Sequence, residues 1–332
     1  KTTLLRLMAG LETPDSGKIY YNDRDVTQIP VRKRNIAMVY QDFVNYPSMT
    51  VYENIASPLR VADNNYSKQE IDEKVKENAR LLNITEILNK YPEELSGGQR
   101  QRTSIARSLV KDVDYIFLDE PLANLDYKLR EELRGQLKET FNTKGGTTGA
   151  IVYATADPID ALVLSTHVGY LHDGKIIQYD ETQTVFNNPK NVAVAKYFSY
   201  PTINIWEAEL ITEAENNYLK VTDELKINVD KYCEQLNKSN YLLGLRTQAL
   251  NLEPKSQEDI EIKGEVQLRE VVGSDTEIHL KYKEHTLVLL VQEIADYNIG
   301  ESIKIYIDPT KFYIFDQDNK ELVLKTGGQL NG

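Results

Sequence analysis

Apolar positions along the chain follow two rhythms, and the change falls near Phe198. Up to that point short unbroken apolar runs alternate with longer helix-period segments: Tyr115-Ile116-Phe117-Leu118, the stretch from Tyr127 to Phe141, then Ala150-Ile151-Val152-Tyr153. A strand that is apolar on both faces must be covered on both, so this alternation predicts a largely parallel sheet flanked by helices. Between Tyr66 and Tyr91, Ile71, Val75, Ala79 and Leu82 recur at helical spacing in a charged background, which predicts a mainly helical insertion. Beyond Phe198 the period drops to two: Ile262, Val266 and Leu268; Ile278 and Leu280; Leu287, Leu289 and Val291; Ile303, Ile305 and Ile307. Turn signals at Gly264, Gly273, Gly300 and Pro309 separate these runs, so a small all-β barrel or sandwich is expected. Ser199-Tyr200-Pro201 is the expected hinge, and no repeat of solenoid length is visible.

Composition narrows the class without changing this division. The 332 residues carry 39 Lys and Arg against 51 Asp and Glu, a net charge of −12, with 41% hydrophobic residues. That is enough apolar material for two cores and too much for a disordered or fibrous chain. The single cysteine, Cys233, excludes an intramolecular disulfide framework and a multi-cysteine zinc site, and a reducing cytoplasmic setting is expected. Apolar stretches such as Thr286 to Val291 fall far short of the roughly 20 residues that cross a bilayer. Position 1 is Lys and no signal-like segment follows, so the chain is expected to open inside a longer one. From Ser199 onward there are 24 acidic and 14 basic side chains, against 27 and 25 before it. An acidic segment without a basic patch repels phosphate backbones, which argues against nucleic acid as a partner.

Three segments carry chemistry. Lys1-Thr2-Thr3 running into Leu4-Leu5-Arg6-Leu7-Met8 reads as the end of a phosphate-binding loop, with the glycine half of the G-x-x-x-x-G-K-[ST] pattern lying before residue 1. There a lysine ammonium meets β/γ-phosphates, the Thr2 hydroxyl meets Mg²⁺, and a helix N-terminus favours the anion. Alone, the segment reads better as a helix that happens to start Lys-Thr-Thr. Tyr115 to Leu118 changes the balance, because a buried parallel strand there delivers Asp119 and Glu120 to its C-terminal edge, where open α/β sheets bind ligands. Asp119 is placed to hold a magnesium ion, directly or through water, and Glu120 to orient and polarise an attacking water. The third and most specific segment is Leu95-Ser96-Gly97-Gly98-Gln99-Arg100, a helix start with exposed N–H groups and a hydroxyl, followed by the buried face Ile105, Ala106 and Leu109.

Taken together these segments resemble the ATP-binding-cassette ATPases, specifically the ATPase subunit of a bacterial carbohydrate or polyol importer with a C-terminal TOBE-type region. The resemblance spans nearly the whole chain. Lys1, Thr2 and Thr3 match the end of Walker A, Gln41 in Met38-Val39-Tyr40-Gln41 the Q-loop, and Leu95 to Gln99 the LSGGQ signature. Asp119 and Glu120 match Walker B and its catalytic glutamate, and Leu122-Ala123-Asn124-Leu125-Asp126 the D-loop. The resemblance implies a P-loop α/β fold with a helical subdomain over about 45–110, within a nucleotide-binding domain of residues 1–198, and an OB-like domain of residues 199–332. It implies ATP and Mg²⁺ as ligands, with Glu120 and Gln41 catalytic and Thr2, Gln41 and Asp119 at the metal. Lys1, Thr2, Thr3 and Asp126 would serve nucleotide, and Ser96, Gly97, Gly98 and Gln99 the nucleotide of a second cassette facing this one. Tyr46 to Asn54 is similar to the segment that grips a permease in this subfamily, and Gly244-Leu245-Arg246, Val272 to Thr276, Pro201 and Asn204 are similar to its regulatory region. The implied partners are a second ABC ATPase, transmembrane permease subunits and, indirectly, a solute-binding protein, at the cytoplasmic face of the membrane.

Two departures matter. The regulatory region has Thr247 and Gln248 after Arg246 where the family has Pro-Glu, which puts sugar regulation in doubt. After the strand Ala150 to Tyr153 the family's switch histidine is replaced: the chain reads Thr155-Ala156-Asp157, and His167, His172, His279 and His285 lie elsewhere. Loss of one preorganised donor to a transition-state charge typically costs roughly 10²–10³ in rate. The reading placed first is one half of an unequal pair, whose intact signature completes a partner's site while its own site is slow. A homodimeric importer ATPase working through Glu120 comes second, and a non-transport ABC protein a distant third. Arg32-Lys33-Arg34 is read as a solvated loop, Trp206 as core, and Cys233 as unreactive.

Overall fold

A computed structural model describes residues 1–42, 44–61, 66–111, 113–123, 125–144 and 150–327. Asn124, of the expected D-loop, lies outside them. The chain forms two compact units, Lys1–Thr166 and His167–Gly332.

In the first unit β1 (Tyr20–Tyr21) and β2 (Arg24–Asp25) form a short hairpin, while β3 (Ile36–Val39), β4 (Tyr115–Asp119) and β5 (Ala150–Ala154) form a parallel sheet with β4 in the centre. Its register sets Ile36 beside Tyr115 and Leu118 beside Tyr153. The unbroken apolar run of β4 has a physical cause: Ile116 and Leu118 pack into one hydrophobic cluster, and Phe117 faces another with Leu5 and Ala9. Leu5 and Ala9 come from α1 (Thr2–Ala9). The other cluster is built by α2 (Val51–Arg60), α3 (Lys68–Leu81) and α4 (Gly97–Leu109), through Ile55, Val75, Ala79, Ile105 and Leu109. Thr50, Ser67 and Ser96 start these helices, each closing a capping box with Glu53, Glu70 and Gln99. Helix α5 (Tyr127–Lys144) follows β4, and α6 (Pro158–Leu164) follows β5.

One basic residue departs from the expected solvated loop. Arg34 is buried and donates to the carbonyls of Met8, Val26 and Ile29 at 2.7–2.9 Å, a guanidinium fork serving carbonyls that no strand partner reaches. Gly10, in the left-handed region at φ 78, ends α1 against it, and a Cβ there would lie 2.3 Å from the guanidinium carbon.

The second unit begins with the hairpin β6 (His167–His172) and β7 (Lys175–Glu181), then α7 (Thr182–Asn187) and α8 (Val192–Tyr197). Two antiparallel sheets follow. One runs β10 (Lys226–Asn228), β9 (Asn216–Lys220), β8 (Asn204–Glu213), β11 (Asn240–Leu245), β17 (Tyr313–Asp316), β18 (Leu322–Lys325). The other runs β12 (Leu250–Asn251), β16 (Ser302–Ile307), β13 (Ile260–Val272), β14 (Asp275–Tyr282), β15 (His285–Val291). Their inner faces share one core, in which Trp206 is buried with Leu243, Val266, Leu280, Ile305 and Phe312. Asn204 ties the sheets by accepting from Val288 N at 2.7 Å and donating to the carbonyls of Val288 and Leu245. The expected inward position of Leu268 is corrected: pairing with β14 shifts between Val266 and Leu268, which turns Leu268 outward at 42% exposure.

The segment expected as a hinge is held inside this unit. Arg246 stacks on the Phe186 ring at 3.8 Å and donates to the carbonyls of Phe186 and Phe198 and to Ser199 Oγ. Val192 N and Leu322 N also pair with the carbonyls of Lys320 and Lys190.

Candidate functional site

At the C-terminal edge of β4, Asp119 is 3% exposed and accepts a hydrogen bond from Thr2 Oγ1 at 3.1 Å. The next residue, Glu120, turns sharply at φ 46, a left-handed conformation uncommon outside glycine. Its N–H donates to Ala154 O on β5, which fixes the turn, and its carboxylate lies 2.6 Å from Lys1 Nζ. Helix α1 begins at Thr2, the residue bonded to Asp119, and carries no acidic residue in its first turn, which suits the positive end of a helix dipole to an anion. The structure thus brings together Lys1, Thr2, Asp119 and Glu120, with Thr3 exposed on the same first turn.

The remaining sequence-derived residues make local contacts of their own. Gln41 is exposed in the turn after β3, and Asp126 accepts from Leu129 N at the start of α5. Ser96 and Gly97 are exposed at the start of α4, where Ser96 Oγ accepts from Gln99 N and Ser96 N donates back to the Gln99 side chain. Gly98 is buried for a separate reason: a Cβ would fall 2.2 Å from a methyl of Leu129. Among the described residues, no hydrogen bond or ion pair joins Gln41, Asp126 or the residues 96–99 to the Lys1 cluster.

Sequence reasoning missed the charged network behind Ala156. Arg134 and Asp160 form a buried pair at 2.7 Å, and Asp160 also accepts from Tyr153 and Thr155 hydroxyls. Burial, reinforced by the Asp160 carboxylate, pushes the Tyr153 hydroxyl far above the usual phenol range, so it stays a donor. Asp157 bridges Arg130 and Arg134 at 3.3 and 3.4 Å while its other oxygen caps α6 through Ile159 N. Residues 155–157 are therefore held rigidly around a cleft of about 310 Å³ lined by Glu120, Ala123, Arg130, Ala156, Asp157 and Asp160. Arginines four apart on α5 facing acids three apart at α6 are the signal that was present in the sequence.

Comparison with known proteins then fixes the relationship. A family model described as ABC transporter matches residues 1–123, and one described as TOBE domain matches residues 243–315. The ABC transporter ATP-binding protein YcjV of Escherichia coli O157:H7 is 34% identical over 326 residues, covering 96% of this chain and 87% of that protein. The chain belongs to the ABC transporter ATPases. Other relatives of this ATPase are the trehalose/maltose import ATP-binding protein MalK of Thermococcus litoralis, 35% identical over 335 residues, and the oligosaccharides import ATP-binding protein MsmX of Bacillus subtilis, 30% identical over 328. Each covers 96% of this chain and is itself covered to 87%.

The ATPase unit has the expected P-loop α/β fold, and the TOBE match falls on strands β11 to β17 of the all-β part. Among its described residues no helix is long and apolar enough to cross a membrane. None of them groups three His, Cys, Asp or Glu side chains into a metal site. The Thr2 hydroxyl and Asp119 carboxylate fit Mg²⁺ nevertheless, because that ion takes hard oxygens and commonly uses one or two protein ligands beside substrate phosphates.

Proposed function

We propose that this ATPase drives uptake of a carbohydrate, polyol or related solute, and that it works as one half of an unequal cassette pair. The observation that carries the nucleotide assignment is the cluster at the edge of β4: Thr2 against Asp119, and Lys1 against Glu120. In this reading Lys1 moves from Glu120 onto β/γ-phosphates as ATP binds, which frees the Glu120 carboxylate to orient and deprotonate the attacking water. Thr2 and Asp119 would hold Mg²⁺, which supplies charge neutralisation on the phosphates when bound. Gln41 would complete the metal site, and Asp126 the interface. Ser96, Gly97, Gly98 and Gln99 would act on the nucleotide of the partner cassette, from a helix start whose Ser96 hydroxyl is exposed.

Import is supported by relatives named for trehalose/maltose, oligosaccharide and osmoprotectant uptake. The unequal pair is supported by Ala156, which leaves the rigid 155–157 turn without an imidazole. Partners in this reading are permease subunits, gripped by the Tyr46 to Asn54 turn, a second ATPase, and a solute-binding protein, at the cytoplasmic face of the membrane. Asn54 supports the grip by folding that turn: it is fully buried and bonds Tyr46, Met49 and Thr50. In the assembled transporter, Lys1→Ala is expected to weaken ATP binding at this site about tenfold or more, by loss of charge-assisted bonds. Glu120→Gln is expected to keep binding and prolong ATP retention. Unchanged binding and retention in both variants would overturn the assignment.

A further inference from the structure

Two guanidiniums share Asp157, and they are held very differently. Arg134 is 5% exposed and locked to Asp160 at 2.7 Å. Arg130 is 28% exposed, and each of its bonds is long: Asp157 Oδ2 at 3.3 Å, Ala123 O at 3.4 Å and Leu125 O at 3.3 Å. Its Nε is buried and has no hydrogen-bond partner. An unsatisfied donor on a loosely held cation is a group waiting for an acceptor. Arg130 also lines the same cleft as Glu120 and Ala156, and it is the sole basic residue among those described as lining it.

The charges around the cleft account for one another. Asp160 is matched by Arg134, Asp157 is shared by both arginines, and Glu120 is paired with Lys1. Asp157 keeps Arg134 and Ile159 N if Arg130 leaves, so releasing Arg130 strands no carboxylate. A polyanion entering beside Glu120 therefore meets, besides Lys1, a second cation whose bonds are all long and whose Nε has no partner.

We propose that Arg130 is the phosphate-facing cation of this cleft: it binds the terminal phosphoryl oxyanion of the nucleotide at this chain's own site, in the place Ala156 leaves without an imidazole. A planar fork suits a phosphoryl oxygen pair, and its charge does not depend on pH as an imidazole's does. The inference rests on the nucleotide reading above and adds which residue distinguishes ATP from ADP.

The test compares MgATP and MgADP binding to the assembled transporter. Arg130→Gln is expected to lower the preference for ATP over ADP about tenfold, with ADP affinity nearly unchanged. Adding Ala156→His to Arg130→Gln is expected to restore that preference. An unchanged preference, an equal loss for ATP and ADP, or no restoration would overturn the proposal, because a purely structural hold on Asp157 affects both nucleotides alike. A second measurement needs no variant: MgATP is expected to protect Arg130 from phenylglyoxal labelling and MgADP is not, and equal protection would contradict it. Lys1→Ala separates the two levels. If it leaves ATP binding intact and Glu120→Gln leaves retention unchanged, the nucleotide reading itself fails, whereas a normal Lys1→Ala loss with an inert Arg130→Gln removes this inference alone.

Discussion

At the residue scale the sharpest contrast is between side chains whose role is local in sequence and those whose role is assembled by the fold. Asp119 and Glu120 were legible because an apolar strand has only one edge at which to present a carboxylate pair, and the structure places them beside Lys1 and Thr2. Arg34 was not legible: in sequence it is the last of three basic residues, and only the fold brings three separate carbonyls to its guanidinium. A solvated arginine would be replaceable by lysine at almost no cost, but this one is not. A single ammonium cannot serve carbonyls arrayed around a planar fork, so Arg34→Lys is expected to cost about 2–4 kcal/mol in chemical denaturation of the first unit. A change within about 0.5 kcal/mol would return Arg34 to the solvated loop.

Elements show where periodicity is reliable and where it fails. The unbroken run of β4 marked a strand buried on both faces, and Ser96 marked the start of α4 because a short hydroxyl satisfies N–H groups that the helix cannot; Thr50 and Ser67 start α2 and α3 in the same way. Strand β13 shows the failure. Ile262 and Val266 are buried, but the shifted pairing beyond Val266 breaks the period and turns Leu268, Val271 and Val272 to the surface. A bulge leaves no mark in a hydrophobic pattern until the partner strand is known. Val266→Ala is therefore expected to cost about 2 kcal/mol, and Leu268→Thr no more than about 0.5 kcal/mol, when the second unit is unfolded by denaturant. Equal costs would put Leu268 back in the core.

Across the whole molecule, the change of rhythm near Phe198 marked a real difference in composition but not the edge of a compact unit. Residues 167–198 pack with the all-β part because Arg246 and the edge of β18 bond to them, contacts between positions tens of residues apart that no local pattern records. The family relation shows an ABC ATPase, and Ala156 raises the question of what it is paired with. In the proposed unequal pair the partner cassette carries out most of the ATP hydrolysis, so the pair is recognised by the composition of the complex. Purification of the tagged protein from its native membranes in ATP, with every retained polypeptide identified, tests it most directly. The account predicts a permease together with a second ABC ATPase that carries the histidine this chain lacks; a permease with this ATPase alone would contradict the unequal pair and leave a homodimer that works without the switch.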